Sequence, residues 1–175
     1  MVLNRLQTVY IKWSNPIALE NRANSCNYCA EEGLYIISTR YLSHGEERER
    51  YIYVGETRKG FDIRFCQHLN ERKPSPWVSV RGRKYVRFGK ICNTPTCVNN
   101  LKWFLLTLET FIIQSIKDSP DVSLVNNRQV KDYTIYYDFI IENTGCRIVP
   151  KIICTRELYK VIDEYDNENI IGKLH

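Results

Sequence analysis

Two extended segments, each pairing a glycine with a tyrosine, constrain this chain more than any other feature. Gly33-Leu34-Tyr35 opens one and Tyr53-Val54-Gly55 closes the other. Residues 33–39 and 50–55 are rich in Tyr, Ile and Val, which suit a pleated, half-buried surface. Between them, Tyr41 to Glu49 holds His44-Gly45 amid alternating acids and bases and reads as a long hairpin loop. From Gly60 to Arg72 the period changes to that of a helix. Phe61, Phe65 and Leu69 recur every four residues as an apolar stripe. Arg64 and His68, also four apart, share another face. Pro74 and Pro76 end the helix.

The rest of the chain continues the mixture. Residues 8–13 read as a strand and 16–24 as a short helix after Pro16. Residues 77–80 and 84–92 look like strands around the turn at Arg81-Gly82-Arg83. Asn99 or Asn100 can cap a helix to about Lys117, with Leu101, Leu105, Leu108, Ile112 and Ile116 as its buried stripe and Pro120 as its stop. Residues 133–141 and 147–154 look like a hairpin across Glu142-Asn143-Thr144-Gly145. Thr155 can cap a last helix, Arg156 to Tyr165. The expected class is α+β: a small antiparallel sheet flanked by helices, with an added N-terminal segment and a C-terminal hairpin plus helix.

At 175 residues, 43% of them apolar, the chain is long enough for one self-sufficient domain. No apolar run is long enough to span a bilayer, and residues 1–13 lack the apolar core of a signal peptide. A cytoplasmic protein is therefore expected. The net charge of +5 is unevenly spread. Residues 56–90 hold ten Lys/Arg against three acids, and the remainder sums to −2. Such a basic segment draws polyanions. Arg58, Lys59, Arg72, Lys73, Arg81, Arg83, Lys84 and Arg87 are its candidate DNA contacts, although a plain solvated surface has the same composition. Among the seven cysteines, Cys26-x2-Cys29 and Cys92-x4-Cys97 could present four thiolates to a structural Zn²⁺. Isolated thiols are the alternative.

Glu109 has the strongest chemical case. Its helical neighbours Leu105, Leu106, Ile112 and Ile113 are all apolar, so its carboxylate needs a cation, hydrogen bonds or a proton. An internal ion pair with Arg64 would serve; so would Mg²⁺, which prefers oxygen and keeps waters that a substrate can displace. Alternation places Tyr35 with Ile37 and Tyr53 with Tyr51. Hairpin pairing would bring Tyr35 and Tyr53 onto one face, and their glycines would admit a phosphate. Arg64 offers a fork of donors to a phosphate oxygen, and His68 could shuttle a proton.

Gly33-Leu34-Tyr35, Tyr53-Val54-Gly55, Arg64-x3-His68, Glu109 and Val125-Asn126 follow, in order, the pattern of the GIY-YIG nuclease superfamily. The chain resembles that family over residues 33–127, with 1–32 and 128–175 as extensions of a single domain. The resemblance implies hydrolysis of DNA phosphodiesters with one Mg²⁺ (or Mn²⁺) held by Glu109. Tyr35 or Tyr53 would handle the attacking water, Arg64 and His68 the charge at phosphorus, and Asn126 would brace the site. Tyr51 stands as an alternative to Tyr53, and Asn127 to Asn126. A restriction-like or mobile-element endonuclease is the leading expectation, and cutting both strands would need a homodimer or two successive events. A DNA-binding module with an inactive site, a repair nuclease and a zinc-stabilised structural protein are the rivals.

Overall fold

The computed structural model of the chain describes residues 7–24, 31–70, 75–125, 137–145 and 148–154. In chain order these form β1 (Gln7–Trp13), β2 (Ile17–Ala18), β3 (Gly33–Ser43), β4 (Glu46–Thr57), α1 (Phe61–Asn70), β5 (Lys84–Ile91), α2 (Leu101–Ile116), β6 (Phe139–Thr144) and β7 (Ile152–Cys154). Short 3-10 turns cover Leu19–Asn24 and Pro76–Ser79. The architecture is α+β, one sheet ordered β4-β3-β5-β1-β6-β7 with β2 paired to β5. No helix among the described residues is long and apolar enough to cross a membrane. The expected last helix lies outside the described residues.

The expected all-antiparallel sheet is corrected in one place: β1 and β6 run parallel from Gln7–Phe139 to Lys12–Thr144. Parallel neighbours need a crossover connection, and everything between residues 13 and 139, α2 included, supplies it. β1 is thereby an inner strand, held between β5 and β6.

Tyr41–Glu49, expected as a loop, belongs to the β3–β4 ladder. The two strands pair from Gly33–Thr57 out to Ser43–Glu46, leaving His44 and Gly45 to make the turn. Their φ values, 52° and 83°, are both left-handed, the backbone of a two-residue hairpin turn whose twist matches its strands. The outer half of this arm has no apolar period because it is largely wet. Leu42 is 79% exposed, and cross-strand pairs such as Arg40–Glu47, 3.1 Å apart, replace hydrophobic contact.

Three further expectations are corrected. Residues 77–80 are not a strand: Pro76–Ser79 form a 3-10 turn that Val80 caps. Pro76 starts it, Val78 N donates to Ser75 O at 2.8 Å, and Trp77 is buried. Residues 16–24 split into β2, whose Ile17 pairs with Val86, and a 3-10 turn. Glu142–Thr144 continue β6 instead of turning. Asn143 is buried there and its Oδ1 accepts from Trp13 Nε1 at 2.9 Å, a tertiary partner for a residue that favours turns in isolation.

Strand alternation sorts the core into two clusters. Leu34, Ile36 and Val54 join Phe104, Leu105, Leu108 and Phe111 of α2, while Tyr35 and Ile37 join Phe61 and Phe65 of α1 with Val86 and Phe88 of β5. Asn100 caps α2, its Oδ1 accepting from Trp103 N at 3.2 Å.

Candidate active site

Gly55 decides where Tyr35 goes. The two are directly opposite in the β3–β4 ladder. A Cβ on residue 55 would lie 2.3 Å from Tyr35 Cζ, so the tyrosine ring lies across the glycine. The space expected to admit a phosphate is filled by that ring. Tyr35 is completely buried, its ring centroid 5.2 Å from that of Phe65 and 6.0 Å from that of Tyr53.

A β-bulge decides which second tyrosine meets it. Ile37 pairs with Tyr53 but Ser38 pairs with Tyr51, which leaves Ile52 as the extra residue on β4. The expected common face of Tyr51 and Tyr53 is therefore lost. Tyr53 packs with Tyr35 on the α1 cluster, and Tyr51 packs on the α2 cluster. Beyond α2 the chain lines the outer edge of β4, where Ser123 N donates to Tyr51 O at 2.8 Å and Val125 N to Ile52 O at 2.9 Å. Asn126 and Asn127 lie outside the described residues.

α1 brings Arg64 and His68 to the same two phenols. His68 is 2% exposed, and its Nε2 lies 2.7 Å from the Tyr35 hydroxyl. Nδ1 on the other side of the ring is hydrogen-bonded to Ser75 Oγ. The indole of Trp77 meets the imidazole edge to face, with centroids 5.7 Å apart. Burial, helped by the nearby Arg64 cation, lowers the His68 pKa to about 4, so the ring is neutral at pH 7. Arg64 lies near both phenols, and its Nη1 donates to Gln67 Oε1 at 3.3 Å. Burial works against its charge, but Tyr35, Tyr53 and Glu56 more than offset this and raise its pKa. Its Nε is buried without a hydrogen-bond partner among the described residues.

α2 contributes Glu109, 3% exposed. Burial first, then the nearby Glu56 carboxyl, pushes its pKa up to about 8, with Arg64 opposing. The phenols respond to the same neighbours. Burial and then Glu109 push Tyr53 up to about 12, against Arg64 and the adjacent Tyr35. Burial and then Tyr53 hold Tyr35 well above 10. Four elements, β3, β4, α1 and α2, thus supply groups that sense one another.

Sequence reasoning missed two members. Glu56, which follows Gly55 on β4, has a buried Oε2 with no hydrogen-bond partner among the described residues, and burial raises its pKa against Arg58, Arg64 and Lys102. Ser75 carried no signal, since a serine between two prolines reads as a helix stop.

The basic segment divides. Arg58 and Lys59 are exposed in the turn between β4 and α1. Arg83 is paired with Glu20 at 2.6 Å, Lys84 Nζ donates to Val80 O at 2.7 Å, and Arg81 is exposed nearby at the Thr39 end of β3. Arg87, expected as a DNA contact, is instead buried at 4% exposure in a two-pronged pair with Glu49, because β5 turns it into the sheet beside Ile36. Arg72 and Lys73 lie outside the described residues, as do Cys26 and Cys29. Cys92 and Cys97 are exposed free thiols.

A divalent ion is chemically compatible with this place. Glu109 is a buried carboxyl whose ionised form needs a cation, and Glu56 adds a second oxygen donor with an orphaned atom. Among the described residues no three or more His, Cys, Asp or Glu side chains gather as a metal site, so waters or substrate oxygens would complete the ion's shell, as suits Mg²⁺. No family model, curated protein or solved structure matches the chain.

Proposed function

We propose that this chain is a metal-dependent DNA endonuclease of the GIY-YIG type, restriction-like or carried by a mobile element, leaving a 5′ phosphate. The observation that carries the reading is the convergence of Tyr35, Tyr53, Arg64, His68 and Glu109, from four separate elements, on one cluster in which Tyr35 is hydrogen-bonded to His68 and the charged groups act on the phenols. Glu109, with Glu56 beside it, would hold Mg²⁺ or Mn²⁺. When bound, the ion polarises the phosphoryl oxygen and eases departure of the leaving group.

Arg64 then clamps a nonbridging phosphate oxygen through its donor fork, where charge grows as the nucleophile attacks. Tyr53 is the phenol a substrate water meets, because it is partly exposed and Tyr35 is not. Neither phenol is ionised at pH 7, so each takes a proton only as it gives one up. The water's proton passes to Tyr53, that of Tyr53 to Tyr35, and that of Tyr35 to neutral His68 Nε2. Hydroxide attacks phosphorus, the bond from phosphorus to the 3′ oxygen breaks, and that oxygen takes a proton from solvent. Arg58 and Lys59 guide the DNA backbone toward the cluster. Cleavage of both strands takes a homodimer or two successive events.

The test is nicking of supercoiled plasmid with Mg²⁺ by wild type, Glu109→Ala, Tyr53→Phe and Tyr35→Phe. Cutting by wild type, lost in Glu109→Ala and reduced in both Phe variants, supports the reading. Salt-sensitive DNA binding without cutting would replace it with the binding-module reading.

A further inference from the structure

The geometry points to Ser75 as a positioning residue that accepts the Nδ1 proton of His68 and so holds the imidazole in the tautomer whose Nε2 can take a proton from Tyr35. The inference rests on the proton path proposed above and adds its inner terminus.

The Tyr35 and Ser75 hydroxyls sit on the two ring nitrogens of His68, and each can donate or accept. The proton path needs the Tyr35 proton aimed at His68. Nε2 of His68 lies 2.7 Å from the Tyr35 hydroxyl and is the acceptor that this path uses. A neutral imidazole that accepts at Nε2 must carry its proton at Nδ1. Nδ1 is hydrogen-bonded to Ser75 Oγ, which can accept it.

The surroundings leave the ring little alternative. Tyr35 is 0% exposed, His68 2% and Ser75 9%, so an unmade hydrogen bond here is not readily repaired by solvent. The groups facing the imidazole are Arg64 from its own helix, Tyr35 and Tyr53 from the two strands, and Ser75 and Trp77 from the segment after the helix. None of these is an acid. A serine at the far nitrogen therefore orients the ring without adding a negative charge, unlike the carboxylate that often plays this part. The ring stays neutral at rest and is charged only while it holds the transferred proton. Ser75 is brought there by Pro76, which starts the 3-10 turn that also sets Trp77 edge to face against the ring.

Nitrogen-resolved NMR of the His68 ring in the wild-type protein reads the tautomer directly and needs no catalytic activity. A proton on Nδ1 is the expected result; a proton on Nε2 overturns the inference. The second measurement is plasmid nicking with Mg²⁺ against pH for wild type, Ser75→Ala and Ser75→Thr. Ser75→Ala is expected to slow the cutting step about tenfold, part of the ~100-fold or more that acid–base groups contribute, with unchanged DNA affinity and the acid limb of its profile moved to lower pH. Ser75→Thr, which keeps the hydroxyl, should restore both rate and profile. An unchanged rate and profile in Ser75→Ala overturns the inference. If wild type does not cut at all, the proposed function fails, and the tautomer measurement still decides the role of Ser75.

Discussion

Replacing Glu109 by glutamine should stabilise the metal-free protein, and the gain should grow with pH. The folded protein holds this carboxyl at a pKa of about 8, against 4.5 for an ordinary glutamate, chiefly through burial. A raised acid pKa means that the folded state binds the proton more tightly than the unfolded chain does. The stability from that proton is complete below about pH 4.5 and is lost as pH climbs to about 8. At about 1.4 kcal/mol per pH unit, the loss reaches roughly 3 kcal/mol at pH 7 and roughly 5 kcal/mol above pH 8. These are upper figures, since a strained buried charge recruits water. The amide of Glu109→Gln has nearly the same shape as the carboxyl and no charge to bury, so the loss is absent in the variant. Urea unfolding with chelator present, at about pH 5, about pH 7 and about pH 8.5, should show a gap between variant and wild type that opens across that window. Mg²⁺ or Mn²⁺ should then close the gap by stabilising wild type alone, by about 2.7 kcal/mol at a hundred times the dissociation constant. A gap that does not vary with pH would refute the reasoning, for the carboxylate would then be accommodated as an ion.

Three other perturbations test the neighbouring arguments. His68 has a lowered pKa, about 4, so its contribution is present above pH 6.5 and is lost as pH falls through 4; His68→Gln should shift the acid limb of a circular-dichroism pH titration downward. Gly55→Ala places a methyl 2.3 Å from Tyr35 Cζ. It should cost about 1–3 kcal/mol in urea unfolding and, by displacing the ring, remove the Tyr35–His68 hydrogen bond from the NMR spectrum. Glu49→Ala strands Arg87, whose side chain is 5% exposed; a loss of about 3 kcal/mol in urea unfolding is expected, the low end for breaking a buried pair because Glu49 keeps some solvent contact.

The strands at Gly33 and Tyr53 and the helices at Phe61 and Leu101 were legible because each presents an apolar period over most of its length. Glu109 was legible for a related reason, as the one acid amid a helix face of aliphatic residues. The outer β3–β4 arm was not, since cross-strand ion pairs carry no period. Nor was the bulge at Ile52, because alternation presumes an unbroken ladder, and a single extra residue sends Tyr51 and Tyr53 to opposite sides. Arg87 looked like its basic neighbours, but its partner Glu49 lies 38 residues away. Ser75 had no local signature, as the imidazole that uses it is brought there by tertiary packing.

What the order of residues settled alone was which stretches would be strand or helix and which side chains were chemically able to act, for both follow from local periodicity and residue type. Only the assembled sheet decided which of those side chains meet. That outcome depends on a bulge, a glycine that accommodates a tyrosine ring, and a parallel crossover, each of which balances packing and hydrogen bonds between segments far apart in the chain.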